Sequence, residues 1–264
     1  MIIFINTFSV EGFMGESKLV LNKDFLTEKA NVTEMNYRDK SLEEYQDYIN
    51  NFYAHARDGK LEYLPFINKR IKVKGKVIEL GAGICWLSSE LSKIKDVNEV
   101  YSLEFSEYLL KDIAPGIMKK LNAEEEKITR VQGDFNSLPF EENKFDFAFI
   151  DAALHHATDL SHMLKEIKRV LKPGGIIIAI REPVLPTWRP WCKDKFGEHD
   201  KANGITENIY SLKEWKIYFN SAGLETKMIP FMPKSTLYRR LLQPLMIFNN
   251  QLLGHFIMVA KKPF

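Results

Sequence analysis

From residue 76 onward the sequence alternates short runs of β-branched and aromatic residues with stretches of helical periodicity, and that alternation leaves few architectures open. Strands are predicted over residues 76–80, 99–103, 128–133, 145–151 and 175–181, with helices over 84–94, 106–121 and 159–171 between them. Strand, helix, strand units close as right-handed crossovers, so the strands lie parallel and helices cover both faces of the sheet. An α/β sheet of this kind binds ligands beyond the carboxyl ends of its strands, where the strand order reverses.

Punctuation outside this block is sharp in two places. Ser41-Leu42-Glu43-Glu44 and Ser211-Leu212-Lys213-Glu214 are capping boxes, in which the serine oxygen and the glutamate three residues later satisfy opposite backbone donors. The first opens an amphipathic helix with Leu42, Tyr45, Tyr48, Ile49 and Phe52 at helical spacing and a stop at Gly59; the second opens a helix ending at Gly223. Two late strands are expected at 225–231 and 254–261, and Pro115-Gly116 is expected to break the 106–121 helix. Residues 1–40 read as an irregular extension, so the chain divides into an N-terminal extension with a leading helix (1–70) and a main domain (71–264). That domain carries a long loop at 182–210 and a helical insertion at 235–253.

The first strand runs into VIELGAGICWL, Val77 to Leu87, a strand turning over glycines into a helix. A dinucleotide fingerprint, G-x-G-x-x-G, needs its last glycine so that helix and strand pack closely around a pyrophosphate. That position is Trp86, which counts heavily against NAD. The spacing E-x-G-x-G-x-G fits better: Glu79, Gly81 and Gly83 match, and only the last glycine is replaced, by Cys85.

Four features in order, VIELGAGIC, YSLEFS, VQGDFNSLPFEENKFDFAFIDAALHH and EIKRVLKPGGIIIAIREP, resemble the class I S-adenosylmethionine-dependent methyltransferases, particularly the small-molecule branch of ubiquinone and menaquinone biosynthesis. The resemblance covers roughly residues 76–222. It implies a Rossmann-like, seven-stranded, mostly parallel sheet of order 3-2-1-4-5-7-6 with the last strand antiparallel, and S-adenosyl-L-methionine as cofactor. Gly81 and Gly83 would admit the methionine portion and Glu79 would face its ammonium. Glu104, at the end of the second strand, can accept both ribose hydroxyls in charge-assisted bonds. Asp134 is implied to accept from the adenine amino group beside the backbone of Phe135, and Asp151, closing the fourth strand, to border the sulfonium. Cys85 reads as a small packing residue and not as a nucleophile.

Methyl transfer from a sulfonium is an in-line displacement, and a base helps when the acceptor must lose a proton. His155 and His156 follow the fourth strand and are the candidates for that base. Tyr45, Arg181, Trp188 and Trp191 are candidates for the acceptor pocket, with Glu182 and Arg189 in the same loop. His199, Asp200 and Glu207 match no compact ligand motif and read as a solvated loop, so no metal is expected. The Asn/Asp-Pro-Pro-Tyr/Phe sequence of amino-methylating enzymes is missing after the fourth strand, which disfavours nucleobase amines.

Lys and Arg total 37 against 35 acidic residues, a balance with no electrostatic footprint for nucleic acid. Two cysteines give no disulfide framework, and no apolar run reaches the ~20 residues of a membrane span, which suits a cytoplasmic protein. In 235–253, Leu237, Leu241, Leu245 and Phe248 share one face. That face could pack on its own domain, meet a lipid surface as a peripheral contact, cap an apolar substrate or join a homodimer. Two other classes stay open at this point: a nicotinamide-dependent oxidoreductase, and a non-catalytic S-adenosylmethionine-binding protein on the same fold.

Overall fold

The structure is a computed structural model and describes residues 8–11, 17–22, 44, 47, 50–51, 62–185, 193, 196, 198, 206–231 and 256–264. One nine-stranded sheet organises them: β1 (Phe8–Glu11), β2 (Lys18–Asn22), β3 (Gly75–Leu80), β4 (Val97–Glu104), β5 (Ile128–Gln132), β6 (Phe145–Asp151), β7 (Leu171–Ile180), β8 (Glu225–Pro230) and β9 (Phe256–Lys261). Their order across the sheet is β1-β2-β5-β4-β3-β6-β7-β9-β8. The expected count of seven is therefore corrected to nine, and the expected order holds only for the inner set from β3 onward. The two additional strands come from the segment read as irregular: β2 pairs parallel with β5, and β1 antiparallel with β2. Antiparallel pairing thus occurs at both ends, since β9 also runs against β7 and β8.

Alternation along the central strands sends residues to opposite faces. Val77, Phe147, Phe149 and Ile178 join one core layer, with Leu87 and Leu91 of α2 (Trp86–Ser92) and Ile117 of α3 (Ala114–Lys120). Ile78, Leu80, Ala148, Ile150 and Ile177 join the other, under Met163, Leu164 and Ile167 of α4 (Leu160–Val170) and Trp215 and Phe219 of α5 (Leu212–Ser221). Helices therefore cover both faces. Asp159 caps α4 by accepting from the His162 amide, and the Ser211–Glu214 capping box is formed in both directions.

Two local readings change. Pro115 does not break a helix: it sits in the first turn of α3, where its missing N–H costs nothing, after a π-helical turn at Leu109–Ile113. A helix not foreseen, α1 (Tyr63–Ile71), packs Tyr63, Leu64 and Ile67 into the first layer. Of the Ser41 helix, Glu44, Asp47, Asn50 and Asn51 are described; they are helical and exposed.

Candidate active site

The glycine loop leaves β3 at its carboxyl end and enters α2 through three left-handed residues: Gly81 at φ 68°, Gly83 at 51° and Cys85 at 58°. A Cβ on Gly81 would lie 2.7 Å from Cβ of Ala153, so close approach to the loop after β6 requires glycine there. A Cβ on Gly83 would meet nothing within 4 Å, so the backbone there borders open space. Cys85 is fully buried, and burial, reinforced by the charge of Glu79, pushes its thiol up. It is inert packing at the N-terminus of α2, as its small size suggested.

Glu79 shares the strand face of Val77 and is therefore drawn into the layer under α2. One carboxylate oxygen accepts from the backbone amide of Ser88 at 2.8 Å and from the Ser88 hydroxyl, which itself accepts from the Ser102 hydroxyl at 2.6 Å. The other oxygen, Oε1, is buried and has no hydrogen-bond partner among the described residues. Burial raises the Glu79 pKa to about 8, against the Ser88 hydrogen bonds, with the charges of Asp151 and Glu104 adding to the rise. A buried, half-satisfied carboxyl is suited to a cationic donor such as an ammonium.

Glu104 ends β4 and meets the glycine loop. Its Oε2 accepts from the Gly83 amide at 2.8 Å, and its Oε1 from the amides of Phe105 and Ser106 at 3.0 and 3.2 Å. These backbone donors fix a 5% exposed carboxylate at the mouth of the glycine loop. Asp134 follows β5 in a tight turn, accepting from the backbone and side-chain amides of Asn136, each at 2.9 Å; Phe135 beside it is half-buried, its ring near Gly81.

At the end of β6, Asp151 is held by its own chain. Trp86 Nε1 donates to Oδ2 at 2.7 Å, while the Arg181 guanidinium forks across both oxygens, Nη2 reaching Oδ2 at 2.6 Å. The indole that spoils a dinucleotide fingerprint thus ties the start of α2 to the end of β6. Replacing Trp86 with Phe is expected to lower stability by about 1–3 kcal/mol, since it withdraws a donor from a buried carboxylate. Urea denaturation checks this, and an unchanged midpoint would remove the bond from the account. Tyr63 lies within electrostatic reach: burial raises its phenol to about 12, with Arg181 opposing and Asp151 adding to the shift. Its ring packs 4.4 Å from Phe231, which also meets Phe66 at 4.6 Å.

The turn Leu154–His156 brings the two histidines against acids from distant segments. Glu182, fully buried, accepts from the amides of Ala153 and Leu154 at 2.9 Å and of His155 at 3.2 Å, and pairs with His155 Nδ1 at 2.8 Å. Glu182, at the start of the 182–210 loop, is accordingly the anchor of this turn. Glu207 is also buried, which corrects its reading as part of a solvated loop: its oxygens lie 3.7 Å from His155 Nε2 and 3.1 Å from His156 Nδ1. Burial alone would lower the His155 pKa, but its hydrogen bond to Glu182 and the charges of Glu182 and Glu207 hold it above the ordinary value. Tyr45, Trp188, Trp191, Arg189, His199 and Asp200 lie outside the described residues, as does the 235–253 insertion.

Glu79, Glu104, Asp134, Asp151 and Glu182 lie at or just beyond the carboxyl ends of parallel strands, and the glycine loop meets Glu104 with Trp86 where a pyrophosphate loop has its third glycine. That combination suits a nucleoside cofactor without a pyrophosphate better than a dinucleotide. Residues 78–179 match the family described as Methyltransferase domain. The demethylmenaquinone methyltransferase of Staphylococcus saprophyticus is 30% identical over 171 residues, spanning 58% of this chain and 71% of that protein. That of Staphylococcus haemolyticus is 35% identical over 122 residues, spanning 45% of this chain and 49% of that protein. In fold, the S-adenosylmethionine-dependent methyltransferase of Aquifex aeolicus superposes with a TM-score of 0.53 at 16% identity, over 89% of this chain and 98% of that one. The chain belongs to the S-adenosylmethionine-dependent methyltransferases and is similar to those of menaquinone biosynthesis. No helix among the described residues is long and apolar enough to cross a membrane.

Proposed function

We propose that the chain methylates a small, aromatic and lipid-like acceptor of the demethylmenaquinone type. The observation that carries the cofactor half is the 2.8 Å bond from the Gly83 amide to Glu104, which joins glycine loop and strand-end acid into one cradle. In this reading Glu104 accepts from the ribose, Asp134 and the backbone of Phe135 hold the adenine, Gly81 and Gly83 make room for the methionine portion and Glu79 meets its ammonium. Asp151 contributes indirectly, by fixing Trp86 and Arg181 beside the reacting centre. The cofactor supplies an already activated methyl group. The chain has then to align the acceptor, exclude water and accept a proton.

The acceptor side is supported by the likeness to demethylmenaquinone methyltransferases and by Tyr63, which lies within electrostatic reach of Arg181 and packs on Phe231. The proton is taken up by the His155, His156 and Glu207 cluster after β6. We assign residues 71–264 to the methyltransferase domain and 1–70 to the extension with its leading helix. The 182–210 loop, with Trp188 and Trp191, and Tyr45 of the leading helix complete the pocket. A cytoplasmic setting belongs to this reading, with the 235–253 segment meeting the membrane surface where a lipid-like acceptor resides, or a second copy of the chain.

Incubation with methyl-labelled S-adenosylmethionine and a panel of acceptors tests the proposal. A short-chain demethylmenaquinol should take the label in preference to a simple catechol or a glycoside. Label on none of the three, from a sample that binds the cofactor stoichiometrically, would sink the assignment and favour a non-catalytic binding protein.

A further inference from the structure

We propose that His155, His156 and Glu207 form a binding site for one divalent transition-metal ion of the zinc class, with Glu182 as the carboxylate that orients His155. The inference deepens the reading of this cluster as the acceptor end and rests on it for location only; the ion itself is detected without turnover.

Three independent segments build the cluster. The 3-10 turn after β6 supplies the two histidines, with ring centroids 4.0 Å apart. The end of β7 supplies Glu182, around whose carboxylate the backbone of Ala153 to His155 is wrapped. The segment Thr206–Asn208 supplies Glu207, and Asn208 clips it to the turn: its amide and side chain both donate to the His155 carbonyl at 3.0 Å, and the side chain also to that of Ala157 at 3.0 Å. Each of the three residues offers one ligand atom, and those atoms lie within 4.8 Å of one another.

One of the two contacts to Glu207 is longer than a hydrogen-bonded ion pair. His155 Nδ1 is taken by Glu182 at 2.8 Å, so Nε2 is the nitrogen left to act, and it faces Glu207 at 3.7 Å, too far for a hydrogen bond. Ligands about 2.0–2.2 Å from a tetrahedral zinc ion stand roughly 3.3 Å from each other. The 3.7 Å spacing from Glu207 to His155 Nε2 is close to that value; His156 Nδ1, 3.1 Å from Glu207, also lies 2.9 Å from the Thr206 carbonyl, so the ion would take the place of the proton that this nitrogen shares with the carbonyl. A histidine whose other nitrogen pairs with a buried carboxylate is the outer-shell arrangement that fixes ring tautomer and orientation for a metal. Two imidazoles and one carboxylate suit zinc, cobalt or iron and leave a coordination position open; magnesium and calcium prefer an all-oxygen set. An acceptor hydroxyl in the open position would have its pKa lowered and release its proton to water, so that with the ion bound the cluster would promote deprotonation without taking up the proton itself. Spacing in the sequence could not reveal the site, because Glu207 lies fifty-one positions beyond His156.

Tag-free protein, stripped with chelator and dialysed, is titrated with Zn2+ and Co2+. One ion per chain is expected, and Co2+ should give the d–d absorption of a tetrahedral or five-coordinate site. Glu207→Gln and His156→Ala should each weaken Zn2+ binding at least tenfold, and Glu182→Gln by about 10- to 100-fold. Should Glu182→Gln fail to fold, the two other variants decide, because neither residue anchors the backbone turn through a fully buried carboxylate. Stoichiometric Zn2+ uptake that is equally tight in Glu207→Gln and His156→Ala, or no uptake by the wild type, overturns the proposal. S-adenosylmethionine binding is measured on the same samples: its loss would count against the methyltransferase reading, whereas intact binding without metal uptake removes only the ion.

Discussion

Replacing Glu104 with alanine should weaken binding of S-adenosylmethionine and S-adenosylhomocysteine by about 100- to 10,000-fold, because two hydrogen bonds to a charged acceptor at about 1.5–3 kcal/mol each are withdrawn together. The geometry makes the loss larger than a surface carboxylate would give. Glu104 is buried, and three backbone amides, those of Gly83, Phe105 and Ser106, hold its oxygens in place before any ligand arrives. Alanine removes both the acceptor and the tie between glycine loop and β4, so preorganisation goes with it. Glutamine keeps the shape and loses the charge, and should fall between the two. Calorimetric titration reads the affinities, and a thermal melt of each variant confirms that the fold survives. Affinity within threefold of the wild type in a folded Glu104→Ala protein would remove the ribose assignment.

The second large effect concerns Glu79. With its folded pKa near 8, the carboxyl is mostly protonated at pH 7 in the ligand-free protein, whereas beside an ammonium it should ionise. Binding of S-adenosylmethionine should therefore release about one proton at pH 7, and affinity should rise between pH 6 and 7.5 by up to tenfold per unit. Calorimetry in buffers of different ionisation enthalpy counts that proton, and Glu79→Gln should bring the count near zero. Stability has the opposite dependence. A folded pKa above the unfolded value of about 4.5 favours the native state at low pH, so this contribution is full below about pH 4.5 and is lost as pH rises to about 8. Melting of the ligand-free wild type should accordingly decline across that window relative to Glu79→Gln. Parallel curves for the two proteins would show that Glu79 does not titrate there.

How far the sequence disclosed these features depended on the range over which each is determined. Strands β3 to β9 were legible because buried parallel strands are compact runs of β-branched residues between helical periods, and the 145–151 prediction coincides with β6. The capping box at Ser211 depends on four neighbouring residues and was equally clear. Strands β1 and β2 were not, since the five-residue β2 acquires strand geometry from pairing with β5, more than a hundred positions away, and the four-residue β1 from pairing with β2. Helix α1 was missed because Pro65 and a lack of side-chain capping hide its start.

The candidate site divides in the same way. Glu79, Gly81, Gly83 and Glu104 follow from motif and strand ends. Partnerships formed across the sheet do not: Trp86 with Asp151 spans 65 positions, and His155 with Glu182 spans 27. Glu182 carried one usable signal, its place directly beyond a parallel strand, the same kind of position as Glu104. Glu207 carried none.

The most direct measurement is calorimetric titration of the full chain with S-adenosylmethionine, S-adenosylhomocysteine and NAD under one set of conditions. The first two should bind with one site per chain and compete with each other, and NAD should give no heat beyond dilution. Saturable NAD binding without binding of the sulfonium cofactor would contradict the account at its centre.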